Sequence, residues 1–255
     1  MQRRNFLVAA GAAFVAGCSE IGDSQWFGKL VEGAQGWHRG LHRALGGGRI
    51  TMAPEYDRSA ISPFFRGNGN QTVDTDEYRA AEAEGFANWR LSVSGLVDNP
   101  GTLSMEDIRA LPQRTQVTRH DCVEGWSATG EWTGPQLSTI LEAARVQPEA
   151  NFIVFRCADF FMRGGPDNRR RVDYYESCDL DDAMHPQTII AHQLNGEPLP
   201  TRNGAPLRLR IERQLGYKHA KYLTGIEAVA SLDDVNGGKG GYWEDIAGYQ
   251  WYAGI

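Results

Sequence analysis

Apolar residues come along this chain in short runs divided by glycine and proline, and the spacing inside each run names an element. Trp26, Leu30, Val31, Trp37, Leu41 and Leu45 recur at helical intervals between Ser24 and Leu45, and Gly46-Gly47-Gly48 stops that run. Residues 51–71 keep no period and carry Pro54, Pro63, Gly67 and Gly69, so they predict an irregular segment lying across another surface. A short helix is predicted over Asp76 to Gly85, and alternation from Trp89 to Leu96 predicts a half-buried strand. Ser104 is placed to cap a helix from Met105 to Leu111, which Pro112 stops.

Further along, Gln116 to His120 reads as a strand that delivers Asp121-Cys122-Val123-Glu124-Gly125-Trp126 into a loop, where functional side chains are often held. Leu137 to Ala144 is helical, Asn151 to Cys157 a strand, Arg169-Arg170-Arg171 a basic loop and Leu180 to Met184 a short helix. Strands are predicted over Thr188 to Leu194, over Ala205 to Ile211 with one wet or ligand-facing side, and over Tyr222 to Ala230. Lys218 reads as solvated. The aromatic-rich end from Gly241 to Ile255 is expected to pack down. Strands and helices mixed in this way indicate an α+β class.

Composition adds limits. With 41% hydrophobic residues over 255 positions the chain can bury a substantial core. A formal charge of −6 supplies no basic field, so nucleic acid is not an expected partner. Arg3 and Arg4 before the apolar run Phe6 to Ala16 resemble a twin-arginine export signal, and the run is too short to span a bilayer. Val15-Ala16-Gly17-Cys18 resembles a lipobox, which makes residues 1–17 a signal peptide and Cys18 a candidate lipid anchor. Residues 18–60 are then a helical spacer and irregular arm, residues 61–255 the functional domain, and the expected location the periplasm.

Of four cysteines, three remain if Cys18 carries lipid. Cys157 and Cys178 either pair or stay buried thiols, which spacing alone leaves open. Cys122 follows Arg119 and His120, a neighbourhood that would lower a thiol pKa and favour the thiolate. No second Cys or His stands at zinc spacing, so such a thiolate needs a cofactor to complete a metal's ligands; the alternative is an ordinary core cysteine.

The stretch RHDCVEGWSATGEWTGPQL closely resembles the molybdenum-ligand segment of the sulfite-oxidase-like molybdopterin-dependent oxidoreductases. The likeness continues through ADFFMRGG, YYESCDLDDAMHPQT, NGEPLPTRNGAPLRLRIERQLGYKHAKYL and GGYWEDIAGYQWYAGI. It implies the sulfite oxidase molybdopterin-binding fold without a C-terminal dimerisation domain, and a pattern nearer to the bacterial protein methionine sulfoxide reductase catalytic subunits. It makes Cys122 the molybdenum ligand, with Arg119 and His120 beside it as candidate catalytic residues. Asn203, Arg208, His219, Ala220, Lys221 and Cys157 become cofactor-binding positions, more loosely joined by Arg66 and Asn68. Cys157 in that role makes a disulfide to Cys178 less expected.

The resemblance therefore implies an exported enzyme transferring an oxygen atom at a molybdopterin-bound molybdenum. Its substrate would be a small sulfur or nitrogen oxide, or oxidised methionine in a protein. No haem attachment CxxCH is present, so electrons are expected to pass to a separate haem- or quinone-linked carrier. The alternative is a non-catalytic, cofactor-bearing lipoprotein or electron-transfer partner.

Overall fold

The computed structural model describes residues 51–255; the signal-like residues 1–17, Cys18 and the helical run from Ser24 to Leu45 lie outside the described residues. Alternate burial of Leu91 and Val93 sets the inner face of β1 (Arg90–Gly95), the strand on which the largest sheet is assembled. β1 pairs antiparallel with β2 (Gly101–Ser104) and parallel with β11 (Leu223–Val229), and β11 continues through β5 (Phe152–Arg163) to β6 (Arg170–Asp179) at the edge. A four-stranded antiparallel sheet joins β3 (Gln113–Cys122), β4 (Trp126–Pro135), β8 (Gln193–Leu194) and β9 (Glu197–Pro198). β7 (Ile189–Ala191) pairs with β10 (Arg208–Arg210). β4 comes so close to β7 that a Cβ on Gly134 would lie 2.0 Å from the Ile190 carbonyl oxygen, which explains glycine there.

The helices are short and capped. α1 (Asp76–Ala83) starts at Thr75, and α2 (Met105–Ala110) carries a full capping box between Ser104 and Asp107. α3 (Leu137–Ala144) turns Leu137, Ile140, Leu141 and Ala144 onto Leu91, Ile153, Phe155 and Ile226 in the main core. Each of the leucine, isoleucine and phenylalanine side chains among them contributes about 1.5–3 kcal/mol through burial. α4 is Leu180–Ala183 and α5 Tyr242–Ala247. The chain end folds back as expected: Leu215 N–H donates to Ala253 O at 2.9 Å and Ile255 N–H to Arg213 O at 3.0 Å. The architecture is α+β, mixed sheets with helices around them.

Several expectations change. Arg170 and Arg171 belong to β6 rather than to a loop, because β5 runs on to Arg163 and pairs with them. The segment from Thr188 to Leu194 is two strands, β7 and β8, parted at His192. β10 has no wet side: Arg208 and Arg210 are both 0% exposed. Lys218, read as solvated, is buried against Glu176 and Glu244. Cys157 and Cys178 are both free. Cys178 is opposite Ile153 in the β5–β6 register, and Cys157 is four residues further along β5, roughly 13 Å away and beyond disulfide reach.

Residues 51–60 are tied to β3 and to the segment after α4. Tyr56 N–H donates to Val117 O, and the Gln187 amide exchanges hydrogen bonds with Ala53 N–H and O. His185 adds to this join, its Nδ1 accepting from Gln187 N–H at 3.1 Å and its Nε2 donating to Thr51 O at 3.2 Å. Burial lowers its pKa to about 4, with Arg213 and Arg114 adding and the Thr51 carbonyl opposing. The folded state therefore binds fewer protons than the unfolded one between pH 6.5 and 4, so this group's effect is absent above 6.5 and destabilises as pH falls through that window. Thermal melts should show His185→Gln losing about 1–2 kcal/mol less than the wild type between pH 7 and 4. Parallel acid limbs would refute the assignment.

Candidate active site

β3 and β4 pair in every position from Gln113 with Pro135 to Cys122 with Trp126, so the turn Val123-Glu124-Gly125 and Cys122 sit at the end of a rigid ribbon. Gly125 makes this turn possible: its φ is 85° and its N–H donates to Cys122 O at 3.0 Å. Cys122 is half-buried and free. The neighbourhood differs from the expected one. Burial pushes the Cys122 thiol up; the Glu124 backbone N–H pulls it down, the Glu124 carboxylate adds to the rise, and the nearby Arg208 and Arg66 pull down without prevailing.

Alternation along β3 separates the two candidate catalytic neighbours. His120 is on the buried face and Arg119 on the exposed one. Arg119 is tied to Asp121, Nε to Oδ1 at 2.8 Å, and points away from the buried cluster around Cys122. His120 is enclosed by Phe65, Trp126 and His219, with ring centroids at 5.6, 5.4 and 5.0 Å. Burial, then His219, Arg208 and Arg210, holds its pKa well below the usual range. Arg210 donates to its Nδ1 at 2.9 Å, so the ring proton is on Nε2, which has no partner and faces Gly216.

The predicted cofactor positions meet here. Arg208 is fully buried, and its hydrogen bonds among the described residues go to neutral oxygens, Asn203 O at 3.0 Å and Asn68 Oδ1 at 3.1 Å. Burial, with Arg210 adding, lowers its pKa to about 9. Asn203 reaches back to Arg66 O at 3.5 Å, so the loosely matched Arg66 and Asn68 do lie across the site, although the Arg66 side chain is exposed over Trp126. Ala220 is buried between His219 and Lys221. Lys221 Nζ donates to Asn70 O, to Arg202 O at 3.2 Å and to Tyr222 OH at 3.4 Å, and burial, then Arg208, lowers its pKa to about 7. Cys157 is buried on the β5 face that also presents Asp159 and Phe161, within electrostatic reach of Lys221.

A cavity of about 190 Å³ opens beside these residues, lined by Cys122 and the β3–β4 turn, Asn68 to Asn70, His219 and Lys221. Three lining features escaped the sequence reading. Asp159 is 4% exposed, accepts from Asn70 Nδ2 at 2.7 Å and has its carboxyl pushed up by burial. Glu124 accepts from Trp126 Nε1 at 2.9 Å. The third is a wall of aromatic rings from β5, β6 and the chain end. Period-two alternation continued past Cys157 would have placed Asp159 and Phe161 on its face.

The donor set can be tested against a molybdopterin. Four buried polar atoms of this neighbourhood lack partners among the described residues: His120 Nε2, Asn203 Oδ1, Arg208 Nε and His219 Nδ1. Because His219 Nε2 donates to Gln214 O, its Nδ1 is an acceptor, so the orphans comprise two donors and two acceptors. A polar, anionic ligand with both kinds of group would satisfy them, together with the buried Arg208 cation. Among the described residues no cluster of three or more His, Cys, Asp or Glu is placed to hold a metal. A single thiol such as Cys122 would leave most ligands of a metal to be supplied by a cofactor.

Comparison with known proteins identifies the family of this domain. Residues 78–234 match the family model described as the oxidoreductase molybdopterin binding domain. A protein of Azospira oryzae named "Putative protein-methionine-sulfoxide reductase subunit YedZ1" is 40% identical over 203 residues, 80% of this chain and 68% of that one. The protein-methionine-sulfoxide reductase catalytic subunit MsrP of Xanthomonas campestris pv. campestris is 34% identical over 178 residues, 69% of this chain and 53% of its own length. This chain thus spans about two thirds of the first relative and about half of the second. Among solved structures, the sulfane dehydrogenase SoxCD from Paracoccus pantotrophus aligns with a TM-score of 0.49 and 23% identity over 58% of this chain and 41% of that one.

Proposed function

This chain belongs to the molybdopterin-binding oxidoreductase family, and from that premise we propose that it reduces sulfoxides, methionine sulfoxide in proteins among them, with Cys122 as the protein ligand of molybdenum. The observation that carries the reading is Arg208: a fully buried guanidinium with no carboxylate partner and an unpaired Nε among the described residues, within electrostatic reach of Cys122. A buried cation without a counter-ion is costly unless an anionic ligand supplies one.

When bound, the cofactor supplies two-electron redox chemistry with transfer of one oxygen atom. The residues do the rest. Arg208 and Asn203 would hold the pterin, and Lys221 with the backbone of His219 and Ala220 would take its phosphate. His120, neutral and clamped by Arg210, supports the Cys122 turn from behind and offers its Nε2–H inward. Arg119, exposed and bound to Asp121, is given no part in the chemistry. For a dialkyl sulfoxide the balance is two electrons and two protons in, the corresponding thioether and water out. The electrons come from a separate haem- or quinone-linked carrier. The Arg3-Arg4 and Val15-Ala16-Gly17-Cys18 patterns support export to the periplasm and lipid anchorage at Cys18.

Full-length protein from a cofactor-making host should carry close to one molybdenum per chain and reduce dimethyl or methionine sulfoxide with a reduced artificial donor. Sulfite oxidation with an artificial acceptor should be much slower, and cell fractionation of the same culture reports export. Metal-free protein would sink the enzyme reading. Metal-loaded protein that oxidises sulfite and ignores sulfoxides would reverse the proposed direction.

A further inference from the structure

One wall of the cavity is built of rings that nothing in the cofactor cradle uses. Phe161 comes from β5, Tyr174 from β6, Tyr217 from the turn after β10, and Trp243 and Tyr249 from the chain end. α5 stops at Gly248, whose φ is 69°, and the chain turns so that Tyr249 N–H returns to Trp243 O at 3.3 Å. That turn stacks Tyr249 on Trp243, with centroids 5.7 Å apart and planes at 25°. Tyr217 closes on Tyr249 edge-on at 5.1 Å, and Phe161 meets Trp243 at 5.5 Å. Arg163 backs the wall, 5.7 Å from the Trp243 ring and 5.8 Å from the Phe161 ring. The rings are held by one another as a rigid surface.

The charges around the cavity select what can lie on that surface. Two carboxylate side chains line it, Glu124 and Asp159. Its lining ammonium, Lys221, rests on the oxygens of Asn70, Arg202 and Tyr222 and is the group assigned to the cofactor's phosphate, so it is not available to a second anion. A small oxyanion gains little here and meets like charge. A neutral sulfoxide keeps its oxygen toward Cys122 and lays its alkyl arms on the rings, where sulfur and methyl groups make favourable aromatic contacts. At the cavity's rim Val123 is 41% and Tyr249 36% exposed, so an arm longer than methyl also finds apolar surface.

We propose that the Phe161–Trp243–Tyr249–Tyr217 wall is the apolar subsite that makes this enzyme prefer neutral sulfoxides with extended alkyl arms, such as a methionine sulfoxide side chain, over oxyanions and over dimethyl sulfoxide. This rests on the sulfoxide-reductase reading and adds to it the residues that set specificity. Trp243 and Tyr249 are specificity-determining because their loss removes the surface for the longer arm.

The test uses the metal-loaded enzyme and three substrates: dimethyl sulfoxide, the neutral N-acetylmethionine sulfoxide methylamide, and the anionic N-acetylmethionine sulfoxide. The wild type should favour the methylamide over both others. Trp243→Ala should raise KM for the methylamide about tenfold, with less effect on kcat, and shrink its advantage over dimethyl sulfoxide by a similar factor. Trp243→Phe should restore most of that advantage. Tyr249→Ala, at a partly exposed position, gives the same reading should Trp243→Ala fold poorly. In parallel, calorimetric titration with the thioether N-acetylmethionine methylamide should show binding weakened about tenfold in Trp243→Ala. An unchanged substrate preference in both alanine variants overturns the proposal. If the wild type reduces none of the three, the reductase reading fails, and thioether binding unchanged in Trp243→Ala then overturns the wall separately.

Discussion

Cys122→Ser should purify as a folded protein and lose turnover by a factor on the order of 10³ or more. Removing a group that only supports a metal ligand costs about 10–100-fold, and removing the ligand itself should cost more. The fold should hardly respond. Cys122 is half-buried at the end of a ribbon whose ten-residue register is fixed upstream, and serine is nearly isosteric. Denaturation of the metal-free form should therefore shift by no more than about 0.5 kcal/mol. Molybdenum content measured beside turnover separates two ways of losing activity. If metal and activity fall together, Cys122 holds the metal; if metal stays and activity falls, it tunes a metal bound by the cofactor alone. Full activity would remove Cys122 from the site. Cys178→Ala is the control, because Cys178 is 1% exposed in the main core and its loss should lower stability while leaving metal content intact.

What the sequence made legible follows from the range of the forces involved. Capped helices are written locally, so Ser104 with Asp107, and the apolar face from Leu137 to Ala144, could be read directly. β4 was not. Its stretch Trp126-Ser127-Ala128-Thr129-Gly130-Glu131 has little β-branched character, and it is a strand because β3 pairs with it throughout. Alternation in Leu207-Arg208-Leu209-Arg210 showed a polar face without telling water from a buried ligand site, and the answer rests on elements far off in sequence. The same limit hid Lys218, whose partners Glu176 and Glu244 come from β6 and α5. Cys122, Asn203, Arg208, His219 and Lys221 were found as a set through resemblance, and the structure brings them to one place. Arg119, chosen by adjacency to Cys122, is on the wrong face of β3, because period-two geometry separates neighbours.

Lys218→Met should be the most destabilising conservative change among the positions discussed, lowering unfolding free energy by about 3–5 kcal/mol. Lys218 Nζ lies 2.7 Å from Glu176 Oε2 and 2.6 Å from Glu244 Oε1, and all three side chains are at most 1% exposed. Burial opposes the ammonium, but the two carboxylates outweigh it and hold its pKa above the usual lysine value. Burial in turn drives Glu176 well up, with Lys218 pulling it down and Glu244 pushing it up. Methionine nearly keeps the volume, so the loss comes from two carboxyls left without a cation. The Glu176 carboxyl, already held above an unfolded value of about 4.3, then rises further, so the penalty is absent below that pH and grows as pH rises through it. Denaturant titrations should accordingly show a large deficit at pH 7 that narrows towards pH 4. Adding Glu176→Gln and Glu244→Gln to Lys218→Met should recover most of it, because neutral amides carry no charge to desolvate. A deficit that stays flat with pH and is not rescued would mean that packing, not charge, makes this join. Since stabilities of single domains are about 5–15 kcal/mol, the Lys218 triad then decides whether α5, with Trp243 in it and Tyr249 just after it, stays docked on β6.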